Sequence, residues 1–205
     1  MRIHTLQLGV LGANCYILEN EGKCLAIDIG GSFTRFSDFL GEHSLKPDAI
    51  LLTHGHFDHI AGVQAAVAKY NCPVYIHEDD ADMLTDSEKN LAASCGIRIN
   101  LVTEAEVHLL HEGDKVKLAG LELQIMHTPG HSPGSICILC ENNLFTGDTL
   151  FCESVGRTDF AGSSTIKMRE SLQRLATVEG NPAVYPGHGE ATSLEMEKQF
   201  NAYFI

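Results

Sequence analysis

The stretch THGHFDH at residues 53–59 constrains the chain more than any other part of its sequence. It directly follows the apolar run 49–52, which predicts a buried strand. A strand fixes the position of the residues at its end and so gives a binding site a rigid base. Four strong metal-ligand side chains lie within six positions: His54, His56, Asp58 and His59. The stretch therefore predicts a metal centre at the end of a strand.

Side chains alternate between two faces along an extended chain. If the stretch continues in extended conformation, His54, His56 and Asp58 point one way and His59 points the other. One short loop would then serve two adjacent metal ions, and four ligands are too few to complete two sites.

Three further candidate ligands lie downstream, each in a turn rich in glycine and proline. They are His131 in HTPGHSPGS, Asp148 in LFTGDTLF and His188 in YPGHGE. Such turns are tight and bring a side chain to a defined point. The full set of five histidines and two carboxylates suits zinc, iron and related metals, and it leaves open coordination positions for water.

Length and charge narrow the classes of function. The 205 residues predict one domain over 1–205. With 27 acidic and 14 basic residues the formal net charge is −13, so the basic footprint that nucleic-acid binding or polybasic membrane attachment needs is missing. A small molecule is therefore the expected partner, and the sequence leaves the oligomeric state open.

The sequence also allows a prediction of the cellular compartment. No apolar run is long enough to span a bilayer, and the N-terminal segment lacks the basic start and continuous apolar centre of a signal peptide. The number of cysteines is odd, seven, and most lie in apolar, strand-like surroundings. Reduced, buried thiols in a cytoplasmic protein are the expectation.

Cys137 and Cys140 form a CxxC pair, a pattern that metal sites and redox sites share. The run 135–140 predicts a strand, however, and an offset of three places the two sulfur atoms on opposite faces. Packing in the core is the interpretation that this favours over a functional pair.

Apolar periodicity and turn signals predict two halves, each with strands and helices. Ser32 is predicted to cap a first helix, and further helices are predicted over 60–70 and 165–177. A last helix is predicted over 193–203, with a capping box from Thr192 to Glu195. Strands are predicted over 2–8, 13–18, 23–29, 49–53, 73–76, 107–110, 115–118, 121–126, 135–140, 143–146 and 183–185. Two sheets packed face to face with helices outside follow from this order.

Two other polar features lie outside the set of seven candidate ligands. The acidic run in 78–105, which includes Asp79, Asp80 and Asp82, is interpreted as a solvated face that is helical or irregular. His127 lies in the same loop as His131, and we expect it to support that ligand or to be a surface residue.

With its seven candidate ligands in this order, the chain resembles the metallo-β-lactamase fold superfamily. The resemblance rests on GANCYIL and AIDIGG near the N-terminus, then on THGHFDH, HTPGHSPGS, FTGD and PGHG. It implies an α/β (α+β) fold, a four-layer αββα sandwich with two divalent metal ions at one edge, zinc foremost and iron or manganese as alternatives. In that scheme His54, His56 and His131 hold the first ion, Asp58, His59 and His188 hold the second, and Asp148 bridges them. An acidic residue at the position of Asp28 supports the ligands.

Within this superfamily the intact motif and Asp148 are most similar to glyoxalase II-type hydrolases of the short bacterial kind, which lack a C-terminal helical domain. The resemblance implies hydrolysis of S-lactoylglutathione or a related acyl thioester. Nine positions after Asp148, Arg157 matches a basic residue that contacts the glutathione carboxylate. A structural arginine paired with Asp159 is the alternative interpretation.

The expected reaction needs no side-chain nucleophile. A hydroxide generated at the metal pair attacks the thioester carbonyl, and Asp58 would also orient it. A thiolate is a good leaving group at neutral pH, so little acid assistance is required. No catalytic residue separate from the metal ligands is expected.

Three alternatives stay open at the level of sequence. Persulfide dioxygenases share the fold and would bind one iron through His54, His131 and Asp148. Lactonases of the same superfamily would direct the same nucleophile at a ring ester. A non-catalytic metal-binding domain is the third, although a structural metal site needs only four ligands.

Overall fold

Two six-stranded β-sheets pack face to face, and helices cover both outer surfaces. The structure, a computed structural model, describes residues 1–204. The first sheet contains Arg2–Leu8 (β1), Ala13–Asn20 (β2), Lys23–Ile27 (β3), Pro47–Leu51 (β4), Val74–His77 (β5) and Val107–Leu110 (β6). Its strands lie in chain order, antiparallel from β1 to β3 and parallel from β3 to β6.

The second sheet begins with Lys115–Leu118 (β7), Leu121–His127 (β8), Ile136–Cys140 (β9) and Asn143–Gly147 (β10). A separate two-stranded ribbon follows, Leu150–Phe151 (β11) and Ser154–Val155 (β12). Ala183–Pro186 (β13) and Thr192–Ser193 (β14) then complete the second sheet in the order β14-β13-β10-β9-β8-β7. Only β10 and β13 pair in parallel within this sheet.

Helices form the two outer layers. Phe33–Glu42 (α1), Phe57–Ile60 (α2), Val63–Tyr70 (α3) and the 3₁₀ helix Glu78–Leu84 belong to the first half. Thr165–Ala176 (α4) and Leu194–Phe200 (α5) belong to the second. The predicted four-layer αββα sandwich is therefore confirmed.

Alternation along β3 shows how the sequence builds these layers. Leu25 and Ile27 face the second sheet and pack in the inter-sheet core with Phe145. Cys24 and Ala26 point the other way, into the core beneath α1 and α3. Because both faces of the strand are covered, it is apolar almost throughout, as buried strands are.

The prediction that Cys137 and Cys140 pack in the core on opposite faces of a strand is also confirmed. Cys140 packs in the inter-sheet core, whereas Cys137 packs on the opposite face of β9 against α4. All seven cysteines are free thiols, and of these Cys95 and Cys152 are exposed. Among residues 1–204, no helix has both the length and the apolar character needed to cross a bilayer.

Helix boundaries near the ligand motif differ from the prediction. The helix predicted over 60–70 is two helices, α2 and α3, separated at Ala61 and Gly62. Gly62 donates a backbone hydrogen bond to Ile29 O at 2.8 Å, and a Cβ at Gly62 would lie 2.5 Å from the Ile29 side chain. Gly62 therefore packs directly against Ile29, just after β3, and this close contact interrupts the helix.

Two predicted helix caps were wrong. Ser32 precedes α1 but has a left-handed backbone and makes no side-chain capping bond. At α5 the cap is Ser193, whose hydroxyl accepts from Met196 N, while Thr192 donates to Glu197 instead. The short strands β11, β12 and β14 were not predicted, because two residues carry no measurable periodicity.

Substitution Leu123→Ala tests the inter-sheet core. Leu123 is fully buried between the sheets, so the lost methyl groups and the remaining cavity should lower the free energy of unfolding by about 2–5 kcal/mol. Denaturant unfolding of both variants measures this. The matched control Leu109→Ala, on the exposed side of β6, should change it by less than about 0.5 kcal/mol. Equal losses would show that the core lies elsewhere.

Candidate metal centre

The seven predicted ligand side chains meet at one edge of the two sheets. Strand β4 ends just before the 53–59 loop, β10 ends just before Asp148 and β13 ends just before His188, while His131 lies in the connection between β8 and β9. Hydrogen bonds join the sheets at this edge. Ile136 N donates to Thr53 O at 2.9 Å, and Asn14 N donates to Gly187 O at 2.7 Å. These contacts fix the relative positions of loops that are distant in sequence.

The first group consists of His54, His56 and His131, all buried. One ring nitrogen from each lies within 4.8 Å of the others. His56 Nδ1 and His131 Nε2 are 2.9 Å apart. Two imidazole nitrogens facing each other at this distance are held together by a shared proton or by a cation that both coordinate.

The second group consists of Asp58, His59 and His188. His188 Nε2 lies 3.1 Å from Asp58 Oδ2 and 3.3 Å from His59 Nε2. His59 is completely buried, whereas His188 is partly open to the cavity beside the site. The group therefore has a buried side and an accessible side.

Asp148 lies between the two groups. Its Oδ2 is 3.4 Å from His131 Nε2 and 3.7 Å from His188 Nε2, and its Oδ1 is 3.4 Å from His59 Nε2. Gly187 packs directly against this carboxylate, where a Cβ would overlap Oδ1. A side chain that contacts both groups has the position that a bridging ligand requires.

The predicted alternation of the motif along extended chain was wrong for its second half. Residues 57–60 form a helical turn, α2, so Asp58 and His59 both turn towards His188. Asp58 does not share a group with His54 and His56. The motif still serves both groups, because extended chain supplies the first and the helical turn supplies the second.

Three histidines have their ring orientation fixed by an outer partner. His59 Nδ1 donates to Asp28 Oδ2 at 2.8 Å, and His131 Nδ1 donates to Arg157 O at 2.9 Å. His54 Nδ1 lies 3.1 Å from Thr53 Oγ1, whose own proton goes to Asp28. In each case Nε2 is the nitrogen that faces the cluster, which is how supporting residues prepare an imidazole for a metal.

The cluster contains buried polar atoms that the described residues leave unpaired. His54 Nε2 and Asp148 Oδ1 are both buried and have no hydrogen-bond partner within residues 1–204. Unpaired buried polar atoms are costly, and here both point at neighbouring ligands. A cluster of five imidazoles and two carboxylates around two such unpaired atoms fits a pair of divalent transition-metal ions.

The two groups differ in their protonation. Burial, together with the neighbouring imidazole of His131, lowers the pKa of His56 to about 3, and burial also holds the pKa of His54 far below its usual range. Burial also disfavours the charged form of His59 and His188, but Asp58 and Asp148 outweigh it and raise the pKa of both. The imidazoles of His54 and His56 are therefore neutral, whereas those of His59 and His188 keep a proton to higher pH than a free imidazole does.

The pKa values of the two carboxylates, Asp148 and Asp58, are lowered by the imidazoles around them. Burial alone would raise the pKa of Asp148, but the imidazoles of His59, His131 and His188 outweigh it and lower that pKa below its usual range. Burial likewise opposes the ionisation of Asp58, and His59 and His188 again lower its pKa. Both carboxylates are therefore ionised and available as ligands.

Asp80 is a functional residue that the sequence interpretation missed. It lies in the acidic run interpreted as a solvated face, yet it is completely buried. Its Oδ2 accepts from Gly55 N at 3.0 Å and from Ser132 Oγ at 2.6 Å, and its Oδ1 accepts from Gly134 N at 2.6 Å. Asp80 thus joins the loop of His54 and His56 to the loop of His131.

A third polar group lies behind the loop of His131. The rings of His77 and His127 stack with centroids 3.9 Å apart and planes at 15°, close to Asp79. A nitrogen lone pair lies in the plane of its ring, so two parallel stacked rings do not point at one cation. His127 supports the loop itself, since its Nε2 donates to Pro133 O at 2.8 Å.

Arg157 lines the cavity next to the cluster. Its Nε and Nη2 each donate to Asp159 at 2.9 Å, and the guanidinium lies 4.4 Å from the centre of the Phe160 ring. This pairing corresponds to the structural alternative for Arg157. Contact between Arg157 and a substrate stays a prediction.

Comparison with known proteins identifies relatives over the full length of the chain. The model of the metallo-beta-lactamase superfamily matches residues 8–188. An uncharacterized protein of Mycobacterium tuberculosis is 38% identical, with 99% of this chain and 97% of the relative covered. The probable metallo-hydrolase YqgX of Bacillus subtilis is 32% identical with the same coverage.

Solved structures of the same fold superpose on almost the whole chain. The BLEG-1 B3 metallo-beta-lactamase superposes with a TM-score of 0.94 at 32% identity, with 99% of each chain covered. TTHA1623, solved in a di-iron-bound form, superposes with a TM-score of 0.88 at 34% identity, with 98% of this chain and 99% of that protein covered. Proteins of this fold therefore include one with two iron ions bound.

Substitution Asp80→Asn tests the link between the two ligand loops. Both oxygens of Asp80 accept from N–H or O–H donors, and an asparagine NH₂ would face a donor on one side. We expect the affinity for the first metal to fall about 10–100-fold, measured by competition with a chelator. The control Asp82→Asn alters an exposed neighbour paired with Lys89 and should leave the affinity unchanged. Full retention of metal by the Asp80 variant would contradict this role.

Metal affinity should also depend on pH. His59 and His188 have raised pKa values in the metal-free protein, so they keep their protons to higher pH than a free imidazole does, and a cation must displace those protons. Zinc affinity is therefore expected to rise as pH rises through these pKa values, with release of protons to the buffer. Calorimetry in buffers of different ionisation enthalpy counts those protons. Binding without proton release near neutral pH would contradict the protonation of the second group.

Proposed function

The chain belongs to the metallo-β-lactamase superfamily, and on that basis we propose that it is a metal-dependent hydrolase of acyl thioesters. The observation that carries the proposal is the position of Asp148 between two groups of ligand side chains, His54, His56 and His131 on one side and Asp58, His59 and His188 on the other. This geometry supports a pair of divalent ions, which we propose to be zinc, with iron or manganese as alternatives.

The metal pair, when bound, would supply a hydroxide nucleophile at neutral pH and a Lewis acid for the carbonyl oxygen. The side chains of the protein set up that chemistry. Asp148 would fix the separation of the ions, and Asp28 would hold His59 in the tautomer that coordinates. Asp58 would accept a hydrogen bond from the attacking oxygen in addition to its ligand role, since it lines the cavity.

The cavity beside the cluster supports hydrolysis without a covalent enzyme intermediate. Among its described lining residues, Ser94, Cys95 and Ser154 are the groups of nucleophilic type, and none of their side chains has a hydrogen bond to a histidine. A serine or cysteine nucleophile needs such a base. A thioester also suits a site without a general acid, because the thiolate of a thiol with a pKa of about 8.5 leaves unassisted.

Two rival activities use the same residues. A mononuclear iron persulfide dioxygenase would use His54, His131 and Asp148, but the second group of ligands is equally complete. A lactonase would use the same nucleophile on a ring ester and release no thiol. One intact set of ligands on each side of Asp148 favours the two-metal hydrolase.

Alanine substitutions at His54, His59 or Asp148 test the proposal. Each removes a ligand whose partner atoms are buried, so both metal content and thioester hydrolysis are expected to fall, hydrolysis by at least about 100-fold. Thiol release from S-lactoylglutathione and from an octanoyl thioester of N-acetylcysteamine measures the reaction, and elemental analysis measures the metal. His108→Ala, a half-exposed histidine on β6 away from the cluster, is the control.

The same preparations separate the alternatives. Unchanged turnover in the three ligand variants would reject the hydrolase scheme. One iron per chain with oxygen uptake on glutathione persulfide would favour the dioxygenase. Ring opening of a lactone without any thioester cleavage would favour the lactonase.

A further inference from the structure

A cavity of about 420 Å³ opens directly onto the candidate metal centre. Its floor carries five of the seven ligand residues, so a molecule bound there has its reactive carbonyl next to the site. Its walls are mostly apolar and come from four separate segments of the chain: Leu11, Phe57, Leu91, Phe151, Val155 and Phe160. Such walls, with few polar groups, are typical of sites for small apolar ligands.

One wall of the cavity is rigid. Phe57 and Leu91 are almost fully buried and pack in a small separate core with Ala92 and Phe160. Phe57 N also donates to Asn90 O at 2.9 Å, which fixes α2 against this segment. The wall therefore has a defined apolar surface before any ligand binds.

Another part of the lining comes from a loop with exposed apolar side chains. Val10 and Leu11 are 83% and 56% exposed, although most large apolar residues of the chain are buried. Gly9 and Gly12 flank them, and both have positive φ, which fixes a tight turn. An apolar ligand in the cavity would cover Leu11 and remove that surface from water.

Charge in the cavity does not match a glutathione thioester. Glutathione carries two carboxylates and one ammonium group, which need partners when they leave water. Apart from the candidate ligands, Arg157 is the charged side chain among the described lining residues, and Asp159 pairs with it by accepting hydrogen bonds from two of its five N–H donors. The polar remainder consists of Ser94, Cys95 and Ser154, all small and neutral.

The leaving group has a different requirement from the acyl group. A thiolate develops negative charge and is disfavoured in apolar surroundings. A second, more open depression shares Phe151 and His188 with this cavity and is also lined by Cys152, Gly189 and Glu190. The thiolate would depart on that side into water, which leaves the apolar cavity for the acyl chain.

Building on the proposed thioester hydrolysis, we propose that the substrate is a thioester with an apolar, medium-length acyl chain that fills this cavity. The chain lies between Leu11 and the wall of Phe57 and Leu91, with its carbonyl at the floor. Recognition comes from burial of methylene groups, and the thiol portion contributes little to it.

A series of acetyl, butanoyl, hexanoyl and octanoyl thioesters of N-acetylcysteamine tests this with the metal-loaded enzyme. Burial of each methylene group should raise kcat/KM about fourfold until the cavity is full. S-lactoylglutathione should be a poorer substrate than the octanoyl thioester. Cleavage that does not depend on chain length, or a preference for S-lactoylglutathione, would overturn this inference and leave the proposed function standing. Cleavage of none of these thioesters would overturn the proposed function itself.

A substitution on the loop gives a second, independent measurement. Leu11→Ser removes an exposed side chain, so folding is not at risk, and the ratio of kcat/KM for octanoyl to that for acetyl should fall about tenfold. Leu109→Ser, an exposed leucine on β6 away from the cavity, is the matched control and should leave the ratio unchanged. Equal losses on both thioesters in the Leu11 variant would overturn the inference.

Discussion

Two buried carboxylates hold the loop that carries four of the seven candidate ligands, and the rest of the site depends on them. Asp28 accepts from Thr53 N, Thr53 Oγ1 and His59 Nδ1. Asp80 accepts from Gly55 N and from two groups in the loop of His131. Hydrogen bonds to an ionised carboxylate are stronger than neutral ones, and a buried carboxylate that loses a donor is costly. Each alternative loop conformation would break several of these bonds, so the ligands stay positioned.

The sequence was most informative where a residue type and a tight turn occur together. His131, Asp148 and His188 could be predicted because each lies in a glycine- or proline-rich turn that follows or precedes a strand. Because β10 and β13 are parallel, the turns of Asp148 and His188 lie at one edge, and His131 reaches the same edge in the connection between antiparallel β8 and β9. The helical turn at 57–60 could not be predicted, since four residues are too short to show a helical period.

Asp80 shows the limit of local interpretation. Its acidic neighbours Asp79 and Asp82 are exposed, so the run resembles a solvated face as predicted. What buries Asp80 is the loop at 132–134, more than fifty positions further along the chain. No pattern within the run encodes that contact. Membership of the superfamily likewise defines the ligand set but not the substrate, because the cavity walls lie mainly on connecting segments, where binding residues vary most.

The polar floor and the apolar walls of the cavity are physically linked. A buried charge interacts more strongly with its neighbours when water is absent, because the local dielectric is low. His54, His59 and Asp148 are buried already, but His188 and Asp58 still face the opening. An acyl chain packed against Phe57 and Leu11 would exclude water from that side as well. Binding energy from a part of the substrate that does not react would then strengthen the field at the carbonyl, and chain length would act on the rate of the chemical step as well as on affinity.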